Sequence, residues 1–257
     1  MSDYSRDEMM TVAAARMLWD GCVCFVGIGL PSAACNLARL THAPGLVLIY
    51  ESGTIGTRPR VLPLSIGDGE LAETAACVVP LPEIFSDYLQ AGRVDVGFLG
   101  AAQIDRFGNL NSTVIGPYAK PKTRLPGAGG ATEIAAHARQ VFIVMKASAR
   151  SFVPKLDFQT SGGQFEGRGQ SGAQGGGPAV IVTDVGILKP GPGGAFALSA
   201  VYPGIPPDEA RAAIGWKLEV APVLETIAAP TAAELGALRA LEARTTAAHR
   251  EPVRLPI

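Results

Sequence analysis

A carboxylate delivered at the end of an apolar run, with a glycine turn directly behind it, is a candidate for chemistry. The run Gly45-Leu46-Val47-Leu48-Ile49 leads straight into Tyr50-Glu51-Ser52-Gly53-Thr54-Ile55-Gly56. In open α/β sheets, ligands bind in the crevice outside the carboxyl ends of the strands, which is where such a segment places Glu51. Three roles suit it: a covalent nucleophile, an acid that binds a sugar hydroxyl, or a hydrogen-bonded carboxylate of a loop. A nucleophilic carboxylate can attack an activated acyl group and split one difficult exchange into two easier steps. It then needs donors for the oxyanion that forms and a site that excludes water. Gly127-Ala128-Gly129-Gly130, ahead of a short helical segment, supplies a backbone-rich loop whose free N–H groups could face an anion. Residue pattern alone leaves the structural and nucleophilic roles open.

The sugar-binding role rests on Gly27-Ile28-Gly29, which follows one apolar run and opens a helix, with Glu51 lying 22 residues beyond Gly29. That separation is close to the one at which an acid meets the ribose in a dinucleotide fold. The third glycine of the fingerprint falls on Ser32, however, and Pro31 removes a backbone donor where pyrophosphate would need one.

The elements that must carry these residues alternate. Ser5-Arg6-Asp7-Glu8 is a capping box opening a helix that runs to about Trp19. Cys22 to Val26 reads as a buried strand, Ser32 to Leu40 as a helix with Pro31 in its first turn, and the run up to Glu51 as a second strand. Pro82 to Gln90 reads as helical, Val94 to Leu99 and Val141 to Met145 as core strands. The glycine-rich segment 161–177 is expected to be a mobile surface loop. Ala179–Leu188 and Ala195–Tyr202 read as the arms of one antiparallel hairpin. Beyond Asp208, alanine-rich helices flank a short apolar piece, Lys217 to Ala221. The expectation is one α/β domain over residues 1–257: an open, largely parallel sheet with Rossmann-like topology, a β-hairpin and C-terminal helices.

Composition narrows the classes. With 47% hydrophobic residues and a net charge of −1, the chain can build a large core and lacks the basic face that nucleic acid requires. No apolar run approaches the roughly 20 residues of a membrane span. The N-terminal residues show no signal pattern, so a cytoplasmic protein is expected. The four cysteines, at 22, 24, 35 and 77, form no CxxC pair and read as small buried hydrophobes; no metal site is expected. The three histidines, at 42, 137 and 249, are scattered and suggest no catalytic base.

Several segments together resemble the β subunits of the class I coenzyme A transferases, from about residue 7 to about 225. They are Gly27-Ile28-Gly29-Leu30-Pro31, Glu51-Ser52-Gly53, Gly100-Ala101-Ala102-Gln103-Ile104-Asp105, Gly108-Asn109-Leu110-Asn111-Ser112-Thr113, Pro121-Lys122-Thr123-Arg124, Gly127-Ala128-Gly129-Gly130-Ala131 and Val182–Leu188. The resemblance implies that Glu51 is the catalytic glutamate, acylated by the donor and then carrying CoA as a thioester. It makes Gly129 and Gly130 the glycine pair of the oxyanion hole, and Gln103 the glutamine of the neighbouring loop. Gly27, Gly29, Ser52, Gly53, Lys122 and Arg124 become candidates for binding the CoA substrate. Lys120, Lys122 and Arg124 could hold phosphates or the far carboxylate of a diacid, or lie idle in solvent. The implied partners are an α subunit that completes the site, an acyl-CoA and a short carboxylic acid such as glutaconate or 3-oxoadipate; no tightly bound cofactor is implied. Members that lack the glutamate act as decarboxylases or ring-opening hydrolases, so Glu51 favours transfer. Thr54-Ile55-Gly56 and Lys146 depart from a glutaconate-type pattern and leave the acid pair open.

Overall fold

The computed structural model describes residues 3–164 and 174–250. Its strands, in chain order, are β1 (Val23–Phe25), β2 (Val47–Ile49), β3 (Thr54–Ile55), β4 (Cys77–Val78), β5 (Val96–Leu99), β6 (Gln103–Ile104), β7 (Leu110–Asn111), β8 (Val114–Ile115), β9 (Thr123–Arg124), β10 (Gln140–Val144), β11 (Pro178–Val182), β12 (Gly186–Pro190), β13 (Phe196–Val201) and β14 (Val220–Thr226). The helices are α1 (Arg6–Ala15), α2 (Leu30–Leu40), α3 (Gly69–Glu73), α4 (Leu81–Glu83), α5 (Ala131–His137), α6 (Pro207–Ala213) and α7 (Ala232–Arg250).

Ten strands form one sheet in the order β14-β13-β12-β11-β10-β5-β1-β2-β3-β4. The centre, β2-β1-β5-β10-β11, is parallel. Antiparallel pairs extend it on both sides, and β14 returns parallel to β13. The chain leaves β1 for β2 on one side and later returns to β5 on the other. The carboxyl ends of β1 and β5 therefore flank a topological switch point, the usual ligand crevice of such a sheet.

Both faces of the central strands are covered, which is why they read as near-continuous apolar runs. Cys24, Val96, Phe98 and Phe142 pack on one face with α1, α2 and α7; Phe25, Leu99, Val141 and Ile143 pack on the other with α5 and the turn after α4. The cysteine expectation holds for Cys22, Cys24 and Cys35, which are buried together, the first two with sulfurs 3.7 Å apart. Cys77 departs from it: on edge strand β4 it faces solvent.

Four element expectations change. The first helix ends at Ala15, not near Trp19; Leu18 stays buried on a following turn while Trp19 is 44% exposed. Pro82–Gln90 is not one α-helix, because α4 passes into a π-helical turn, Ile84–Leu89. The arm 179–188 is itself two strands, β11 and β12. The Thr183 hydroxyl folds the chain back by donating to the Gly186 carbonyl and accepting from the Gly186 N–H, a local side-chain turn that apolar patterning hides. The apolar piece after α6 pairs as β14, Val220–Thr226, beyond Lys217–Ala221. Of the segment 161–177, residues 165–173 lie outside the described residues. Its described flanks are tied down: Leu110 bridges to Ser161, and the Gly175 and Gly176 N–H groups donate to the Ala136 and Arg139 carbonyls.

Two clasps fix α7 to the N-terminal helix. The capping box forms, with Ser5 Oγ accepting from the Glu8 N–H and Glu8 Oε2 accepting from the Ser5 N–H. Glu8 also accepts from Arg239 of α7 at 2.6 Å. In the reverse sense, Arg16 donates to Glu234 of α7 through two nitrogens, both at 2.7 Å. These guanidinium bonds hold the Glu8 and Glu234 carboxyls down at about 2. A carboxyl depressed in the fold contributes stability above its unfolded value, near 4.3, and that contribution is lost as pH falls toward 2. Thermal melts between pH 6 and pH 2 should therefore show a steep loss of Tm below pH 4.5, made shallower when Arg16→Ala and Arg239→Ala remove the partners.

Candidate active site

Glu51 sits at a central position of a tight turn between β2 and β3, closed by the Gly53 N–H donating to the Tyr50 carbonyl at 3.0 Å. Gly53 has φ +98°, and a Cβ there would collide with the Val79 carbonyl oxygen. Only glycine combines that backbone angle with so close an approach, and the approach is bonded, because the Val79 N–H donates to the Gly53 carbonyl at 2.9 Å. Beneath the turn, Tyr50 is fully buried, with its hydroxyl 3.0 Å from Ser32 Oγ. Ser32 Oγ donates in turn to the Gly27 carbonyl at 2.9 Å. Burial pushes the Tyr50 phenol up, so it stays neutral and serves as a fixed donor. The position where a dinucleotide fingerprint would carry its third glycine is thus a working hydroxyl that ties the β1–α2 turn to the turn bearing Glu51.

The glycine loop comes close to the carboxylate. A Cβ on Gly130 would lie 3.4 Å from Glu51 Oε2, and one on Gly129 would lie 3.9 Å from both carboxylate oxygens. The same Gly130 position is 2.9 Å from the Phe85 ring, which with Phe25 forms an apolar wall. Among the described residues, the Glu51 side chain makes no hydrogen bond or ion pair, and the N–H groups of Ala128, Gly129 and Gly130 reach no acceptor. An unpaired, half-buried carboxylate beside three unpaired donors is the arrangement an acyl-transferring nucleophile needs. Ser112 holds the loop from behind, its N-terminal neighbours lying on β7. The Gly127 N–H donates to the Ser112 carbonyl at 2.9 Å, and Ser112 Oγ donates to the Gly127 carbonyl at 2.8 Å.

Gln103 is placed differently. It is buried on β6, and its amide is spoken for: Oε1 accepts from Asn111 Nδ2 at 2.7 Å and from the Asp157 N–H at 3.1 Å, while Nε2 donates to Asp157 at 3.1 Å. It forms no bond to Glu51. It lines a cleft of about 630 Å³ with Lys122, Arg150 and Ser151. Lys122 and Arg124 are exposed at β9; the Arg124 guanidinium lies 4.6 Å over the Tyr118 ring. Gly27 and Gly29 stand at the amino end of α2, at the carboxyl end of β1. The structure therefore gathers Glu51, Ser52, Gly53, Gly129 and Gly130 around one carboxylate, links Gly27 to it through Ser32 and Tyr50, and leaves Lys122 and Arg124 in an outlying hairpin. Phe85, Ser112, Asn111 and Asp157 were not singled out as site residues by the sequence. Their parts arise from contacts between distant segments, which no local spacing marks.

Among the described residues, no group of three or more histidine, cysteine, aspartate or glutamate side chains could hold a metal ion. None of their helices is long and apolar enough to cross a membrane.

Known proteins share the sequence pattern and the fold. The family model for coenzyme A transferase matches residues 7–211. The chain is 61% identical to the β subunit of 3-oxoadipate CoA-transferase from Pseudomonas knackmussii, over 97% of both chains. It is 35% identical to the β subunit of glutaconate CoA-transferase from Acidaminococcus fermentans, over 93% of this chain and 92% of that one. The crystal structure of the Acidaminococcus transferase superposes with a TM-score of 0.86 over 92% of this chain and 94% of that one. The decarboxylase AibA/AibB superposes with a TM-score of 0.83 at 26% identity, over 94% of this chain and 96% of that one. The family model, these relatives and the shared fold agree: this chain belongs to the coenzyme A transferase family.

Proposed function

We propose that this chain is the β subunit of an acyl-CoA:carboxylate CoA-transferase, that it works with an α subunit, and that its acid substrate is a short dicarboxylate. The observation that carries the reading is the unpaired Glu51 carboxylate against the unpaired donors of the 128–130 loop. Of the two acids named by its relatives, 3-oxoadipate is favoured, because identity to the 3-oxoadipate enzyme's chain is 61% against 35% for the glutaconate enzyme's. Residues 1–257 act as one domain, a reading supported by the ten-stranded sheet whose strands lie between Val23 and Thr226. The cytoplasm, where acyl-CoA is handled, is its place of action.

The chemistry follows from the side chains. Glu51 attacks the donor thioester carbonyl, and the oxygen that becomes negative is held by N–H groups of Gly129 and Gly130. CoA leaves as thiolate, forming a mixed anhydride between Glu51 and the donor acid. The thiolate then attacks the glutamyl carbonyl, the donor acid departs, and Glu51 is left as a CoA thioester. The acceptor acid reverses the sequence and leaves with CoA. The carrier is a side chain, so the exchange needs no tightly bound cofactor. Phe85 and Phe25 wall one side against water, and binding of the remote CoA moiety helps draw the reacting atoms together.

Incubating the αβ complex with acyl-CoA and no acceptor, then reducing and mapping it by mass spectrometry, should place a CoA thioester or its alcohol at Glu51. Glu51→Gln should lower kcat by at least about 10³-fold. A fully active Glu51→Ala complex would make this subunit a scaffold instead, and CoA release without transfer would place it with the hydrolases. Gly130→Ala tests the loop. The added methyl meets the Phe85 ring and pushes the donors off the carboxylate, so kcat should fall about 10²-fold, with a drop of a few degrees in melting temperature as the ring gives way and an acyl-CoA KM near wild type.

A further inference from the structure

Four arginines from three parts of the chain meet at the segment Arg58-Pro59-Arg60, between β3 and α3, and the steps derived above leave them without a task. Arg39, in the last turn of α2, donates to the Pro59 carbonyl at 2.8 Å and to Asn36 Oδ1 at 2.9 Å. Arg244 of α7 donates to the next carbonyl, that of Arg60, at 3.3 Å. The segment is held at both ends. The Arg58 N–H donates to the Thr74 carbonyl at 3.1 Å, and the Leu62 N–H donates to Thr245 Oγ1 at 2.9 Å. Glu70 pairs with Arg60 at 3.6 Å; among the described residues, Arg39, Arg58 and Arg244 form no ion pair. Three positive charges are thus left over at one spot of a chain whose net charge is −1. Burial, and then the charges of Arg58 and Arg244, pull the Arg39 guanidinium down from its usual value, as like charges held together must. Such crowding costs stability unless an anion relieves it.

We infer that this arginine cluster is a binding site for a diphosphate group, that of free pyrophosphate or of a nucleoside diphosphate. The proposal stands apart from the transfer chemistry. Guanidinium forks suit phosphate oxygens, which accept parallel N–H bonds from them. Two of the forks are set in advance: Arg39 and Arg244 are tied to carbonyls, while Nη1 of Arg39 and both Nη atoms of Arg244 stay free. The Arg58 side chain makes no bond and is exposed. Charge selects the ligand. A carboxylate brings one negative charge and a phosphate group up to about two, so two linked phosphates match the three positive charges that are unmet. Nucleic acid is disfavoured, because one cluster on a near-neutral chain gives no extended basic face.

The test titrates pyrophosphate into the αβ complex by calorimetry at low ionic strength. One saturable site per copy of this chain is expected, with a Tm that rises with pyrophosphate concentration. Arg58→Gln and Arg244→Gln alter exposed side chains, and each should weaken binding about tenfold, while Lys189→Gln, on β12, leaves it unchanged. Without pyrophosphate, Arg58→Gln should raise Tm at low ionic strength, because it removes one of the crowded charges without breaking a side-chain bond. A nucleoside diphosphate that binds more tightly than pyrophosphate makes the nucleotide the ligand; equal binding makes it the diphosphate alone. Absence of saturable binding overturns the proposal, as does binding that all three variants retain. So does an Arg58→Gln complex whose KM rises for acyl-CoA but not for the same acyl group on pantetheine, since the cluster would then hold the substrate's own phosphates.

Discussion

The close approach of the Val79 carbonyl to Gly53 is the constraint on which the site depends. With no side chain in the way, the Gly53 N–H closes the β2–β3 turn on the Tyr50 carbonyl, and the Val79 N–H ties that turn to the segment beyond β4 by donating to the Gly53 carbonyl. With the turn closed, Glu51 has one direction in which to leave the sheet, toward the glycine loop. Tyr50 performs the complementary task from below. Its ring is sealed in the core, and its hydroxyl reaches Ser32 and through it Gly27. Displacing the turn would therefore strand a buried phenol without its partner, a cost of about 1–3 kcal/mol. A nucleophile gains from such rigidity, since small misplacements of a reacting group are expensive.

The opposing wall is built with equal economy. Gly130 has ordinary backbone angles, and what it must lack is volume, because the Phe85 ring and Glu51 Oε2 already occupy the space around it. Ser112 sets the height of that loop through reciprocal bonds to Gly127, while Asn111 beside it braces Gln103. A single strand end, β7, thus braces both the glycine loop and the wall of the cleft that Gln103 lines. Glu51 is held by the large sheet, while Asn111 and Ser112 join the glycine loop to Gln103 on the cleft wall.

Much of this was legible in the sequence, and the parts that were not share a cause. The capping box, Pro31 in the first turn of α2 and the glycines at 53 and 129–130 are local devices. Each needs only its neighbours to be recognised, and each stands where the pattern put it. The π-helical turn at Ile84–Leu89 and the reversal at Thr183–Gly186 are local too, but each sits within a run of mainly apolar neighbours that resembles continuous helix or strand. Gln103 shows the other limit. The sequence could mark it as a polar residue at a strand end, but not its partners. Asp157, 54 positions away, and Asn111 settle what its amide does. Arg39 and Arg244 escaped attention for the same reason: they meet at the 58–60 segment only through the folding of distant parts of the chain.

The pattern of unsatisfied groups sharpens the reading of Glu51. Folded proteins pair nearly all buried polar atoms, and departures concentrate at functional or strained sites. Six buried side-chain polar atoms lack partners among the described residues, and three of them, on Ser52, Thr54 and Thr57, follow Glu51 within six positions. The Glu51 carboxylate and the N–H groups of Ala128, Gly129 and Gly130 add to the same neighbourhood. A structural carboxylate would have used those donors, since a charge-assisted bond to a backbone N–H is among the stronger ones available. Instead the donors and the acceptor stand side by side, close but not bonded. The buried hydroxyls of Ser52, Thr54 and Thr57 carry a folding cost, whereas Glu51, Ala128 and Gly129 stay open to solvent and are hydrated there. A substrate carbonyl with its oxygen toward the loop and its carbon toward Glu51 fits that opening, as the proposed transfer requires.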